Sequence, residues 1–177
     1  MKNFNLTKVN VLVVERQLFL RQLMREILHA LGVAHVSVSY ADELFDDTNM
    51  EYPPDMIFTD WSPGLDGIDL IKTIRGNRAN LDRYIPVVVV SAFTDLKHVC
   101  QARDAGMTEY LAKPVSGEMI YRRICSLVEH PRNFIETEIF FGPDRRRRVL
   151  DFGGGEQRAQ PPIAQPSPER VQERVLH

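Results

Sequence analysis

Three short apolar runs of this chain end in side chains capable of chemistry: "PDMIFTD" closes on Asp60, "PVVVVS" on Ser91, and "EYLAKP" carries Lys113. A carboxylate, a hydroxyl and an ammonium make a nucleophile, a hydrogen-bond donor and a counter-charge, which together suit group transfer onto the carboxylate. A fourth run, "VNVLVV", delivers Glu15 and Arg16. In an open parallel sheet, ligands gather beyond the carboxyl ends of the strands, so four such ends bring these side chains to one pocket. The Glu15–Arg16 pair bears on metals. Mg²⁺ takes oxygen ligands and waters in a near-octahedral shell, and a guanidinium supplies neither. Arg16 is expected to pair with the Asp60 carboxylate and so make Mg²⁺ doubtful. The alternative is that Arg16 swings to solvent while Glu15, Asp60 and waters hold a metal.

A second group lies beyond these runs, in "FFGPDRRRRVL": Phe140, Phe141, a Gly-Pro turn signal, Asp144, and Arg145, Arg146, Arg147 and Arg148. Arginine outnumbers lysine 17 to 5, which favours planar, bidentate and stacking recognition over point-charge attraction. Guanine offers N7 and O6 to an arginine fork on one edge, and N–H donors to a carboxylate on another. Asp144 beside four arginines therefore suits a guanine nucleotide with phosphates, although a solvated basic face is the commoner fate of such a run. Four arginines are a small footprint for duplex DNA, and no helix-turn-helix pattern accompanies them, so a nucleic-acid partner is not expected. Phe140 and Phe141 either stack on a base or, more commonly for such a pair, pack against the domain, where they could anchor the segment to the last helix. Arg122, Arg123 and Arg132 stand near the junction, but helix-surface arginines are more often solvated, and they are not counted as ligands.

Strands are expected near residues 9 to 14, 34 to 39, 55 to 60, 86 to 91 and 108 to 111, each short and apolar. Amphipathic stretches separate them: "QLFLRQLMREILHALG" ending on Gly32, "GIDLIKTIRGN" after Asp60, "TDLKHVCQARDAG" capped by Thr94, and "SGEMIYRRICSLVEH" before Pro131. Alternating strand and helix periods imply an α/β fold with a parallel, doubly wound sheet of five strands. Asp66 and Asp69 suit the dipole at a helix start and need no catalytic role.

With 177 residues, 44% hydrophobic and 26% charged, the chain can bury one core of ordinary size. Residues 1 to 130 read as that domain, and 131 to 152 as an extended or conditionally ordered arginine-rich arm. From Gly153 the composition turns to Gly, Pro, Gln and Ser, too poor in apolar surface to offset chain ordering, so 153 to 177 is expected to be disordered. The net charge of -2 conceals the basic cluster. Cys100 and Cys125 lack ligand spacing and read as small buried side chains in a reducing compartment. The scattered histidines suggest no metal site. The N-terminal apolar run is too short for a signal core or membrane span, so no membrane insertion and a cytoplasmic location are expected.

Asp60 in "DMIFTDWSPGLDGIDLIKTIR", Ser91 in "VVVVSA", and Tyr110 and Lys113 in "AGMTEYLAKPVS" together resemble a bacterial response-regulator receiver domain, CheY-like, with a flavodoxin-like sheet. The resemblance covers roughly residues 8 to 130. It implies that Asp60 accepts a phosphoryl group from a histidine kinase, that Lys113 and Ser91 assist, and that Tyr110 is an aromatic switch. It further implies a cis peptide before Pro114, and a signalling rather than enzymatic role. Receivers usually carry two acids where this chain has Glu15 and Arg16. That departure, joined to the arginine run, resembles the Cle family of CheY-like proteins. The implied ligand is cyclic di-GMP, bound by Asp144 and Arg145 to Arg148. The implied partner is the flagellar motor switch protein FliM, with recruitment to the motor at the cell pole.

Overall fold

The computed structural model describes residues 4–39, 52–62, 66–79 and 81–144, and the backbone of 163–164. Five parallel strands, β1 (Asn10–Val14), β2 (His35–Ser39), β3 (Met56–Asp60), β4 (Val87–Ser91) and β5 (Glu109–Ala112), form one sheet in the order β2-β1-β3-β4-β5. All four pairings are parallel, for example Val13 with Phe58 and Ser91 with Ala112. The expected sheet is thus present, each strand starting one residue later than anticipated.

Period-two alternation sorts the side chains of the central strands between the faces. Val11, Val13, Met56, Phe58, Val88 and Val90 face α1 (Leu18–Ala30) and α4 (Gly117–Glu129), meeting Met24, Leu28, Ile120 and Ile124. Leu12, Val14, Ile57, Val87 and Val89 point the other way, onto Ile68, Ile71 and Ile74 of α2 (Gly67–Arg75) and Ala102 and Ala105 of α3 (Leu96–Ala105). Two apolar layers, one per face, make the doubly wound architecture and fix which strand ends share a rim.

The helix ends follow local chemistry. Asp66 caps α2, accepting from the amides of Ile68 and Asp69, and Ser116 caps α4 through the amide of Met119. For α3 the cap is Asp95, whose side chain accepts from His98 N, and not Thr94 as the sequence suggested. A carboxylate at this place also favours the helix dipole, which a hydroxyl does not. Gly32, with φ +91, follows the C-cap Leu31 of α1, as expected for its left-handed backbone. Cys100 and Cys125 are free and half-buried, less enclosed than anticipated.

Beyond α4 the chain turns back as a hairpin of β6 (Phe134–Glu136) and β7 (Phe141–Pro143), antiparallel, with Glu136 opposite Phe141. The turn closes when Thr137 N donates to Phe140 O at 2.8 Å. A two-residue strand, β8 (Ile163–Ala164), pairs antiparallel on the other side of β6, so one piece of the segment expected to be disordered is a strand. The hairpin sits at the amino-terminal end of the large sheet. Phe134 is buried, and its ring lies 5.2 Å from Tyr84 and 5.4 Å from Phe141. Arg83 stacks its guanidinium 3.4 Å from the Phe141 centroid, and Arg75 covers Phe134 at 5.1 Å. Phe141 thus packs against the domain, with the segment before β4 as its anchor in place of the last helix.

Arg75 is the keystone of this junction. Its Nε donates to Gly106 O at 2.9 Å and its Nη1 to Arg83 O at 2.7 Å and Ile85 O at 2.8 Å. Burial pushes its pKa down to about 9, against the attraction of Asp82. Gly106, at φ +100, ends α3, and a Cβ there would stand 3.1 Å from Phe141 O and 3.0 Å from Arg75 Cγ. Gly142 in turn lies with its Cβ direction 3.0 Å from Gly106 Cα. Two glycines thus let the backbones of the hairpin and the α3–β5 turn touch.

Candidate functional site

The carboxyl ends of the strands gather Glu15, Asp60, Ser91 and Lys113 as the sequence implied. Lys113 Nζ donates to Asp60 Oδ1 at 2.7 Å and to Glu15 Oε2 at 2.9 Å. Asp60 and Glu15 are 3% and 4% exposed, whereas the Lys113 side chain keeps 21%, so the ammonium caps two buried carboxylates from the solvent side. Burial opposes the Lys113 charge, but the bonds from Asp60 and then Glu15 outweigh it and hold its pKa above the usual 10.5. The peptide between Lys113 and Pro114 is cis, as the resemblance implied.

The remaining acceptors are taken locally. Glu15 Oε1 accepts from the amide of Gln17 at 2.9 Å, and Asp60 Oδ2 accepts from the Ser62 hydroxyl. Ser62 went unnoticed in the sequence, although its place two residues past Asp60 was a usable signal. Arg16 lies exposed at the start of the turn after β1, and Lys113 is the cation bonded to Asp60. The reason is geometric. Residue 15 turns back into the pocket to meet Lys113.

Ser91 is fully buried and its Oγ donates to Trp61 O at 2.7 Å while accepting from Phe93 N at 3.2 Å. Tyr110 donates its hydroxyl to Phe93 O, and burial raises its pKa. Ser91 thus ties the loop after β3, and Tyr110 the loop after β4. Above them, Trp61, Phe93 and His98 form an aromatic cluster. The His98 ring stacks on Phe93 at 4.5 Å and lies 4.9 Å from Trp61, and His98 pairs with Asp95. Trp61 follows Asp60 directly in the chain, which brings this cluster next to the site.

Glu15 and Asp60 are the two carboxylates that could face a Mg²⁺ ion, which is often held by one or two carboxylates and waters. Glu15 and Asp60 are both bonded to the same ammonium, and among the described residues no third His, Cys, Asp or Glu joins them. Lys113 competes with any such ion for both carboxylates, and the Arg16 side chain offers donors only.

Asp144 is at the opposite end of the sheet, its amide donating to Asn133 O at 2.7 Å to close the hairpin. Arg145, Arg146, Arg147 and Arg148 lie outside the described residues. They follow β7 after Asp144 and precede β8 in the chain, and both strands border β6. Of the arginines near the junction, Arg123 and Arg132 both pair with Glu109, at 2.5 and 2.8 Å, and Arg122 pairs with Glu118. No described helix is long and apolar enough to cross a membrane.

A parallel five-stranded sheet in this order, with an aspartate and a lysine bonded across its carboxyl edge, is the arrangement of a response-regulator receiver domain. A family model, the response regulator receiver domain, matches residues 11–125, and the chain belongs to that family. It is similar to the chemotaxis protein CheY of Pseudomonas aeruginosa, 25% identical over 128 residues that cover 68% of this chain and 97% of that protein. It is also similar to the phosphate regulon transcriptional regulatory protein PhoB of Escherichia coli, 30% identical over 115 residues, 64% of this chain and 49% of that one. The solved structure of chemotaxis protein CheY4 of Vibrio cholerae shares the fold, with TM-score 0.57 and 21% identity over 66% of this chain and 96% of that chain. Receiver domains are in general signalling modules rather than enzymes.

Proposed function

We propose that this CheY-like receiver is an effector of cyclic di-GMP, bound by Asp144 and Arg145 to Arg148, and that the liganded form engages the flagellar motor switch protein FliM. The protein then works in the cytoplasm and at the motor of the cell pole. The observation that carries this reading is where the arginine run starts. It begins one residue beyond Asp144, whose amide is tied to Asn133, at the edge of a hairpin held on the receiver by Arg75, Tyr84 and Arg83. Four adjacent guanidiniums repel one another, and an anionic dinucleotide supplies the counter-charge that offsets the repulsion. A ligand held next to a docked hairpin reaches the receiver through packed rings. The ligand can shift the receiver only by its differential affinity for the two arrangements.

The second reading is phosphorylation of Asp60 by a histidine kinase. It is favoured by the intact Asp60–Lys113 contact of 2.7 Å. In that chemistry an Asp60 oxygen attacks phosphorus, the phosphoryl donor departs with the bonding pair, and Lys113 neutralises the phosphoryl oxygens.

Isothermal calorimetry with cyclic di-GMP, with GTP and single-stranded RNA as controls at two salt concentrations, tests the first reading. Tight and guanine-selective binding supports it. Binding of RNA with steep salt dependence and no guanine preference contradicts it. For the second, incubation with acetyl phosphate and Mg²⁺ followed by intact-mass measurement gives one phosphoryl adduct, lost in Asp60→Asn, or none.

A further inference from the structure

The aromatic cluster beside the site contains one titratable ring. His98 lies in the first turn of α3, its ring stacked on Phe93 with centroids 4.5 Å apart and planes 14° from parallel, and 4.9 Å from the Trp61 ring. Trp61 meets Phe93 edge-on at 6.0 Å, so the three rings form a closed triangle. The His98 Nδ1 pairs with the Asp95 carboxylate, which also accepts from the His98 amide at 3.1 Å as the cap of α3.

Imidazole is the side chain whose charge ordinarily changes between about pH 5 and 8. The other ionisable groups on the surrounding elements are Asp95 and Lys97 at the start of α3, Asp60 before Trp61, Asp66 and Asp69 at the start of α2, Tyr110 and Lys113 on and after β5, and Glu15 after β1. Among the described residues, Asp95 is the one paired with the ring. The bond from the His98 amide, opposed by desolvation and reinforced by the bond and charge of the ring, holds the Asp95 carboxyl below its usual range. Asp95 therefore stays an anion, and His98 is the partner whose charge changes.

A charged ring and a neutral one are held differently here. Imidazolium makes an ion pair with Asp95 and cation–π contacts with both neighbouring rings, whereas neutral imidazole keeps one hydrogen bond and loses those attractions. The difference falls on Phe93. Its carbonyl accepts from the Tyr110 hydroxyl, and its amide donates to Ser91 Oγ at 3.2 Å. Ser91 Oγ in turn donates to Trp61 O at 2.7 Å. The cluster is thus bonded to two of the residues gathered at the carboxyl ends of the strands.

We propose that His98 is a proton-sensitive clasp on the loop after β4. Charged, it fixes Phe93 between itself and Trp61 and so keeps the Tyr110 hydroxyl on the Phe93 carbonyl; neutral, it loosens that loop and frees Tyr110 and Ser91 to move. The hold is present at lower pH and is lost as pH rises through the imidazole range. This device depends on neither reading of the function, because it acts on the loop after β4 whether the input is a ligand at the other end of the sheet or a phosphoryl group on Asp60.

The test follows the full native chain by NMR from about pH 5 to 8, reading the His98 ring, the Ser91 amide and the Tyr110 ring, the last two of which make no bond to His98. Trp61, the single tryptophan of the chain, reports the cluster by fluorescence. The expected result is that the Ser91 and Tyr110 signals and the Trp61 emission shift with the same midpoint as the His98 ring. In His98→Gln, whose side chain can bond to Asp95 but takes up no proton, those shifts should be lost, which separates His98 from the other histidines. Asp95→Asn keeps an oxygen able to cap α3 and removes the anion, so the Ser91 and Tyr110 shifts should shrink. A His98 ring that titrates while Ser91 and Tyr110 stay still, shifts of equal size in His98→Gln, or a ring with no titration in this range would overturn the proposal. The native chain decides it alone, whether or not either variant folds.

Discussion

Among single residues, one ammonium holding two buried carboxylates carries most of the chemistry. Lys113→Ala removes the cation shared by Asp60 and Glu15 and leaves both uncompensated, a loss on the order of 2–4 kcal/mol after allowing for the part of the lysine that solvent reaches. Urea denaturation of the variant against the native chain measures it. The pH dependence follows from the raised pKa of Lys113. Its charged form is favoured on folding, so its support is complete below 10.5 and is lost as pH rises through the higher folded value. Stability of the native chain should therefore decline above pH 10.5 more steeply than that of Lys113→Met. Arg16→Asp should supply the missing oxygen ligand and give Mg²⁺ binding that quenches Trp61, whereas no gain would place the defect elsewhere. Asp60, Ser91 and Lys113 were legible in the sequence because polar groups closing apolar strands can converge only at one edge. Ser62 carried only a positional signal, two residues past Asp60, because its bond to Asp60 depends on how the turn projects its side chain.

Among the elements, the hairpin is the feature that distinguishes this receiver from a bare five-stranded sheet. Its grip is specific: Phe134 is 3% exposed, and Arg75 makes three bonds to carbonyls beneath it. Phe134→Ala should cost about 3–4 kcal/mol, since it opens a cavity beneath Arg75 and removes an aromatic contact. Gly142→Val should undock the hairpin, because the new side chain meets Gly106 and the Phe140 ring. Faster amide exchange across β6 and β7, with α4 unchanged, would register that loss. These elements were hard to foresee. Strands of three residues carry too little alternation to announce themselves, and a buried arginine at the end of α2 looks like any helix-terminal cation. The long helices and apolar strands announced themselves because each repeats its period several times, and even there Asp95 displaced Thr94 as a cap because a carboxylate serves the helix start better.

Across the whole molecule, two regions of chemistry stand at opposite ends of one sheet. Asp60 and Lys113 occupy the carboxyl edge, and the hairpin with Asp144 occupies the amino edge. Strands of about five residues, rising about 3.3 Å each, put roughly 15 Å of packed core between them. The strands β3 and β4, buried throughout, span that distance. Arg146→Ala with Arg147→Ala should abolish cyclic di-GMP binding while leaving the thermal transition of the receiver in place. Saturating ligand, at about 100 times its dissociation constant, should raise native stability by about 2.7 kcal/mol, and the double variant should show no rise.

Hydrogen exchange of the β6 and β7 amides, with and without cyclic di-GMP, bears most closely on whether the arginine run speaks to the receiver. If a ligand there is transmitted through the docked hairpin, the amides of Ile135, Glu136, Phe141 and Gly142 exchange more slowly in its presence, and the effect continues into the segment before β4. Unchanged exchange at these positions under saturating ligand would contradict transmission through the hairpin.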